Sequence, residues 1–239
     1  MDDETLLNLN RQGFIPGPEE KEGAFLERVR KTKAQIPAFR TDWDWARETV
    51  FELFDFFPDS LPIHISNQGL RIWEAAACWI EDGVPKVQLR ETTIRKISKE
   101  ELLAHEAIHA ARAAFEESEF EEFFAFASAE KKWRRIFGPI LRRPWEVWPF
   151  FIASLLSFTS LSVWPVVCLS IGALFRLYRS QAKLKAAAQF LSQRIGSERR
   201  IRAALFRLTD QEIGLLAKGV WPKGDLSLRW RLLRLAYFS

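Results

Sequence analysis

The chain has 239 residues, enough for one sizeable core and an accessory segment but too few for several full domains. An apolar content of 48% excludes an intrinsically disordered protein. The formal net charge of +4 comes from 35 basic and 31 acidic residues. That balance does not indicate a nucleic-acid-binding protein, so nucleic acid is not an expected partner.

The cysteine content and the first residues bear on the compartment. Cys78 and Cys168 are the two cysteines, and they form no C-x-x-C motif. We therefore expect no disulfide framework and a reducing compartment. The first residues, MDDETLLNLNRQG, are acidic and polar, which is not the pattern of a secretory signal peptide.

The first ninety residues predict helices followed by a β-hairpin. Residues 1–22 form a lead-in that ends in the turn-rich GFIPGPEEKEG. Apolar residues recur at helical spacing over residues 23–57. The segments IWEAAACWI, residues 72–80, and PKVQLR, residues 85–90, have the character of strands. The turn EDGVP between them predicts a hairpin.

Three S/T-x-x-E patterns predict helix starts that are stabilised by capping boxes. The pairs are Ser98 with Glu101, Ser118 with Glu121, and Thr209 with Glu212. The first pair begins the helix that carries HEAIH. The second begins a helix over residues 119–136, which stops near Gly138-Pro139, and the third begins a helix that ends before Gly219. The chain closes in the basic amphipathic helix LSLRWRLLRLAYF.

Residues 147–175 contain no charged side chain over 29 positions. One helix of that length would be about 44 Å long, against a hydrocarbon core of about 30 Å. Trp164-Pro165 lies in the middle of the run. These features predict a membrane-associated helical hairpin over residues 145–178, re-entrant or made of two short spans, with membrane lipids as partners. One tilted span and a buried helical pair are the alternatives. Basic residues flank the run on both sides: Arg142, Arg143, Arg176, Arg179, Lys183 and Lys185.

The motif HEAIH holds two of the three histidines of the chain. On a helix, His105 and His109 share one face, so both imidazoles can bind one zinc ion. Glu106 lies about 100° around the helix, beside the metal. There its carboxylate can take a proton from a zinc-activated water and pass it to a leaving amine. This spacing is that of the HExxH motif of zinc peptidases. The alternative is a polar helix face whose histidines only make hydrogen bonds.

A catalytic zinc ion usually has three protein ligands. His64 is the remaining histidine, but the acidic segment FEESEFEEFFAF after the motif is a richer source. Glu121 is occupied if its capping pair with Ser118 forms, whereas Glu122 lies one position further into the helix and is free. The candidates in the segment are Glu116, Glu117, Glu119, Glu121 and Glu122.

The HEAIH motif, followed by a second helix bearing Glu122-Phe123-Phe124-Ala125, resembles the gluzincin clan of zinc metallopeptidases over about residues 85–137. In that clan the third ligand is a glutamate in a pattern such as ExxA or ExxxD. The resemblance therefore implies Glu122 as the third ligand, with Glu119 and Glu121 as alternatives. One departure is Phe126, which stands where the clan often has an aspartate that orients a ligand histidine.

Two further residues are candidates for stabilising an oxyanion. They are His64, in the strand-like LPIHIS, and Arg112, one turn past His109. For both residues, a purely structural role is the alternative. The strand at residues 85–90 can hold an extended peptide by edge pairing, so a protein or peptide is the expected substrate.

Together these patterns predict a predominantly helical α+β fold. A zincin-like catalytic domain with a small β-hairpin or sheet would occupy residues 1–140, the membrane-associated hairpin residues 145–178, and a basic helical region residues 179–239. The expected function is that of a membrane-associated zinc metalloprotease, with its catalytic domain on the cytoplasmic side. The metal ligands would be His105, His109 and Glu122, and Glu106 would act as general base. The alternatives are a non-catalytic membrane protein that uses the helix pair for structure or partner binding, and a zinc hydrolase with another substrate.

Overall fold

A computed structural model describes residues 1–36, 43–71, 74–81, 83–92, 97–160, 162–223 and 226–238. Within these ranges the chain forms a predominantly helical α+β fold with one three-stranded sheet, and the predicted fold class is confirmed at this level. The helices are α1 Asp3–Arg11, α2 Glu22–Ala34, α3 Asp44–Phe54, α4 Lys99–Ala111, α5 Glu121–Ala127, α6 Lys132–Phe137, α7 Val147–Ser160, α8 Trp164–Ser192, α9 Glu198–Phe206, α10 Asp210–Ala217 and α11 Leu228–Ala236. The strands are β1 Ile63–Ile65, β2 Ala76–Glu81 and β3 Val84–Leu89, and short 3₁₀ turns lie at Pro58–Ser60, Gly138–Ile140 and Pro144–Glu146.

The sheet has the strand order β1-β3-β2. β2 and β3 form the predicted antiparallel hairpin, in which Cys78 lies opposite Val87. Gly83, in the connecting turn, has a φ of +77°, a conformation that glycine adopts without strain. β1 pairs in parallel with β3. Because Val87 and Leu89 are fully buried, β3 anchors the sheet in the core, and α4 packs against β2 and β3.

One buried core joins the two ends of the chain. Phe206, at the end of α9, stacks on Phe54 at a ring-centroid distance of 4.4 Å and on Phe56 at 5.7 Å. Its ring also meets Phe124 of α5 edge-on at 5.4 Å. The core therefore runs across the predicted boundary at residue 179, and the basic C-terminal region packs beside the HEAIH helix.

Three arginines lie inside this core. Arg112, Arg207 and Arg229 are each at most 2% exposed. Arg112 donates to the carbonyl oxygens of Phe206 and Leu208, which ties the end of α4 to the end of α9. Arg229 donates to both carboxylate oxygens of Glu212 at 2.8 Å. Buried charges require partners of this kind, because an unpaired one would be costly to desolvate.

Two of the three predicted helix starts carry the expected side-chain cap. Ser98 accepts a hydrogen bond from the Glu101 amide at 3.0 Å at the start of α4. Thr209 and Glu212 form the complete capping box of α10. Gly219 follows that helix with a φ of +75°, as expected of a residue just past a helix end.

The third predicted helix start is wrong. α5 begins at Glu121 without a side-chain cap, and the Ser118 hydroxyl instead accepts a hydrogen bond from Arg143 at 3.1 Å. The predicted helix over residues 119–136 is two short helices, α5 and α6. The long helical pattern over residues 23–57 is likewise two helices, α2 and α3; residues 37–42, between them, lie outside the described part of the chain.

The prediction of membrane-spanning segments, and with it the membrane localisation, is wrong. In the described part of the chain no helix is both long enough and apolar enough to cross a bilayer. α7 has 14 residues and would be about 21 Å long, short of a hydrocarbon core of about 30 Å. α8 has 29 residues, but Arg176 and further basic residues interrupt its apolar character after Phe175.

α7 and α8 pack on each other as a helical hairpin. None of the described side chains of α7 belongs to the main core, whereas α8 contributes Leu177, Ala187 and Leu191. The C-terminal half of α8 is thus part of the body of the protein. The hairpin also carries exposed large apolar side chains: Val147, Trp148, Phe151, Ile152, Leu155, Leu156, Phe158, Trp164, Ile171, Leu174, Phe175 and Tyr178.

We expect Phe206→Ala to lower the free energy of unfolding by about 3–5 kcal/mol, because the substitution leaves a cavity among stacked rings. Phe158→Ala is the matched control, since its ring is 85% exposed, and should change stability by less than about 0.5 kcal/mol. Urea titration followed by circular dichroism measures both. Equal effects of the two substitutions would contradict a core shared by α3, α5 and α9.

Candidate metal centre

α4 presents the two histidines of the motif on the side that faces α5. Ser98 caps the helix, and Glu100 and Glu101 lie in its first turn, where negative charge stabilises a helix. The buried residues Leu103, Ala107 and Ile108 fix the opposite sides of α4 in the core. A rigid, well-buried helix therefore carries both imidazoles.

Three of the predicted ligands converge at one point. The Nε2 atoms of His105 and His109 lie 3.3 Å apart. One carboxylate oxygen of Glu122 lies 3.9 Å from His105 Nε2, and the other lies 3.6 Å from His109 Nε2. In a tetrahedral zinc site with bonds of about 2.0–2.2 Å, neighbouring ligand atoms are about 3.3–3.6 Å apart. The two shorter distances lie in this range and the third, 3.9 Å, exceeds it by 0.3 Å, so the three side chains form a group that could hold a metal ion.

Glu121 orients His109 from the side away from this point. Its carboxylate lies 2.9 Å from His109 Nδ1. A carboxylate in this place fixes the ring orientation of a ligand histidine and makes its other nitrogen a stronger donor to a metal. The sequence had assigned Glu121 to a capping box with Ser118, so its role was missed. Because α5 begins without that box, the side chain of Glu121 is available for His109.

His105 is held by α5 as well. The backbone carbonyl of Ala125 accepts a hydrogen bond from its imidazole. Phe126, which stands where an orienting aspartate was considered, packs edge-on against the same ring at a centroid distance of 4.7 Å. α5 therefore supplies one candidate ligand and also positions both histidines.

Glu106 lies beside the three ligands and points toward the sheet. It is 8% exposed, and its carboxylate accepts a hydrogen bond from the backbone amide of Cys78 in β2. Burial raises the pKa of Glu106 to about 7; the charge of His109 opposes this rise and the charge of Glu122 adds to it. A carboxylate with a pKa near neutrality is suited to both accepting and donating a proton.

The two histidines differ in their electrostatics. Burial, together with the positive charges of His109 and Arg134, lowers the pKa of His105 well below its usual range. Burial disfavours charge on His109 too, but the hydrogen bond to Glu121 and the charges of Glu122 and Glu106 outweigh it and raise the pKa of His109 to about 9. Burial also raises the pKa of Glu122.

The other candidate residues lie elsewhere. His64 is exposed on β1, opposite Gln88, and is not part of the converging group. Arg112 is fully buried and donates to carbonyls of the C-terminal region, so its role is structural. Glu119 accepts hydrogen bonds from Ser180 and Lys183 of α8.

Two glutamates remain from the acidic segment. Glu117 accepts hydrogen bonds from Arg112 and from the Asp210 amide. Glu116 is exposed in a left-handed turn with a φ of +52°. Among the candidates for the third ligand, Glu122 is the one whose carboxylate lies near the Nε2 atoms of both histidines, whereas Glu121 contacts Nδ1 of His109.

The predicted edge strand is wrong. β3, which covers most of PKVQLR, is the central strand of the described sheet, with β1 on one side and β2 on the other. The sequence suggested only a hairpin and gave no indication that β1 would pair with β3. The outer edge on the side of Glu106 belongs to β2.

Comparisons with known proteins found no matching family model, no matching curated protein and no matching solved structure. The interpretation of the site therefore rests on the residues of this chain and their geometry.

The raised pKa of His109 predicts that metal binding releases a proton. Below about pH 9 the metal-free protein carries a charged His109, whereas a metal ligand must be neutral. Zinc affinity should therefore rise with pH, by up to about tenfold per unit, between about pH 6.5 and about pH 8.5. Calorimetric titration in two buffers of different ionisation enthalpy measures the released proton. An affinity that does not change over this range would contradict the assignment of His109.

Proposed function

We propose that the chain is a zinc-dependent hydrolase that cleaves peptide bonds. His105, His109 and Glu122 would bind the metal, and Glu106 would act as general base. The observation that carries this proposal is the convergence of three metal-binding atoms beside a buried carboxylate. The same arrangement of roles is found in the gluzincin clan that the sequence resembles.

The ligand set favours zinc over other common metals. Two imidazoles and one carboxylate are a known ligand set of catalytic zinc sites, whereas magnesium and calcium prefer oxygen ligands alone. The side chains of His105, His109 and Glu122 are mostly but not fully buried, which would limit access of bulk water and still let a substrate reach a bound metal. Zinc bound there would lower the pKa of a water molecule and polarise a substrate carbonyl.

Glu106 has the position and the proton affinity for a general base. Its hydrogen bond from the Cys78 amide fixes the carboxylate between β2 and the metal-binding atoms. From there the carboxylate can accept a proton from a water molecule and then donate it to the leaving amine.

The exposed edge of β2 supports a peptide as the substrate. Val87 donates to Pro62 and Leu89 accepts from Ser66, so the backbone groups of both residues point toward β1. Their antiparallel partners, Cys78 and Ala76, must therefore point away from β3. Because the Cys78 amide already donates to Glu106, an extended peptide would pair with the remaining outward groups of this edge and pass alongside Glu106.

Glu106→Gln tests the proposal most directly. We expect the variant to bind zinc within about threefold of the wild-type affinity, because the substitution leaves the three ligands in place. Hydrolysis of a mixture of quenched fluorescent peptides should fall by about 10²–10⁴-fold, since the amide cannot accept the proton. Glu116→Gln is the matched control on an exposed glutamate and should retain full activity. Wild-type hydrolysis rates in Glu106→Gln would refute the catalytic role.

A further inference from the structure

α5 carries Glu122 but cannot fix its own position. It has seven residues and no side-chain cap, and isolated helices shorter than about 12 residues are only marginally stable in water. Glu116, five positions before the start of α5, adopts a left-handed backbone conformation. The place of Glu122 relative to α4 therefore depends on the packing of Phe124 in the aromatic core and also on contacts made by residues 117–120, which we call the α5 turn.

Asp210 holds the α5 turn from the start of α10. Its carboxylate oxygen Oδ2 accepts a hydrogen bond from the Glu119 amide at 2.7 Å. In return, the Asp210 amide donates to the Glu117 carboxylate at 2.9 Å. Because the capping box with Thr209 satisfies the start of α10 itself, the side chain of Asp210 is available to bind the α5 turn.

Lys183 holds the same turn from α8. Its ammonium group donates to Glu119 Oε1 at 2.8 Å, and the Ser180 hydroxyl donates to the same oxygen at 3.1 Å. Glu119 lies three residues before Glu122. The turn is thus fixed by its backbone through α10 and by a side chain through α8.

We propose that Asp210 and Lys183 are positioning residues that hold Glu122 within metal-binding distance of His105 and His109. This inference rests on the proposed metal site, and it adds that the C-terminal half of the chain sets the geometry of that site. Asp210 and Lys183 do not themselves bind the metal. Their substitution should therefore change the metal affinity and the coordination by Glu122.

The test is the zinc dissociation constant of the full chain, measured by competition with a chromophoric chelator. Asp210→Ala should weaken binding by about 10–100-fold, which is typical of losing an outer partner of a metal site. Lys183→Met should weaken it by about 3–10-fold, since this ion pair is partly exposed. Lys183→Arg should restore most of the affinity. The exposed neighbours Gln211 and Lys185 supply matched controls, Gln211→Ala and Lys185→Met, which should bind as the wild type does.

Two further measurements separate positioning from general destabilisation. The visible absorption of the cobalt-loaded protein should change in Asp210→Ala and Lys183→Met, because the coordination of Glu122 is altered, and should not change in the controls. In a double-mutant cycle, Lys183→Met combined with Glu119→Gln should weaken zinc binding no more than either change alone, because both remove the same contact.

The outcomes distinguish this inference from the proposed function. If the wild type binds zinc and the folded variants bind it equally tightly, the positioning role is refuted while the metal site stands. If the wild type binds no zinc, both proposals fall. Should Asp210→Ala fail to fold, the zinc affinities of Asp210→Asn and Lys183→Met test the positioning role. Asp210→Asn keeps one acceptor oxygen, so its zinc affinity should be lower than that of the wild type but higher than that expected of Asp210→Ala.

Discussion

The structure depends on how three carboxylates and two imidazoles are accommodated in one half-buried space. Glu106, Glu121 and Glu122 converge on His105 and His109, and burial penalises each charge that is left without a partner. In the metal-free protein the positive charge of His109 offsets part of this negative charge. A divalent cation between the two Nε2 atoms and Glu122 would offset more of it, so the electrostatics and the ligand spacing favour the same occupant.

The site is built from two helices that differ in how they are stabilised: α4 is stable by itself, and α5 depends on other parts of the chain. α4 has its own cap and its own buried face, so its backbone carries His105, Glu106 and His109 on a stable helix, while α5 orients the two imidazole rings. α5 is short and uncapped, and the turn before it is held by Asp210 and Lys183, which follow α5 by more than fifty positions in the chain. The shared aromatic core around Phe206 brings these helices to the site. The C-terminal region is therefore a structural condition for the metal centre.

Local patterns in the sequence were sufficient for the elements that stabilise themselves. The capping box at Thr209 and the hairpin turn at Gly83 formed as predicted. Ser98 caps α4, but the Glu101 carboxylate pairs with Arg134 and does not complete the predicted capping box. The spacing of His105 and His109 also placed both imidazoles together. The pattern at Ser118 failed, because Arg143 takes the serine hydroxyl and Glu121 binds His109 instead. The apolar run was misjudged because composition alone does not show that α8 continues past Phe175 into the core of the protein.

The role of Glu121 and the contact of Asp210 with the α5 turn could not be predicted, since both depend on partners distant in the chain.

The central claim is that His105, His109 and Glu122 hold one metal ion. Anomalous diffraction at the zinc absorption edge, from crystals of the zinc-loaded protein, tests it most directly. The account predicts one peak about 2.0–2.2 Å from both Nε2 atoms and from a carboxylate oxygen of Glu122. A zinc-loaded crystal without a peak at that position would contradict it.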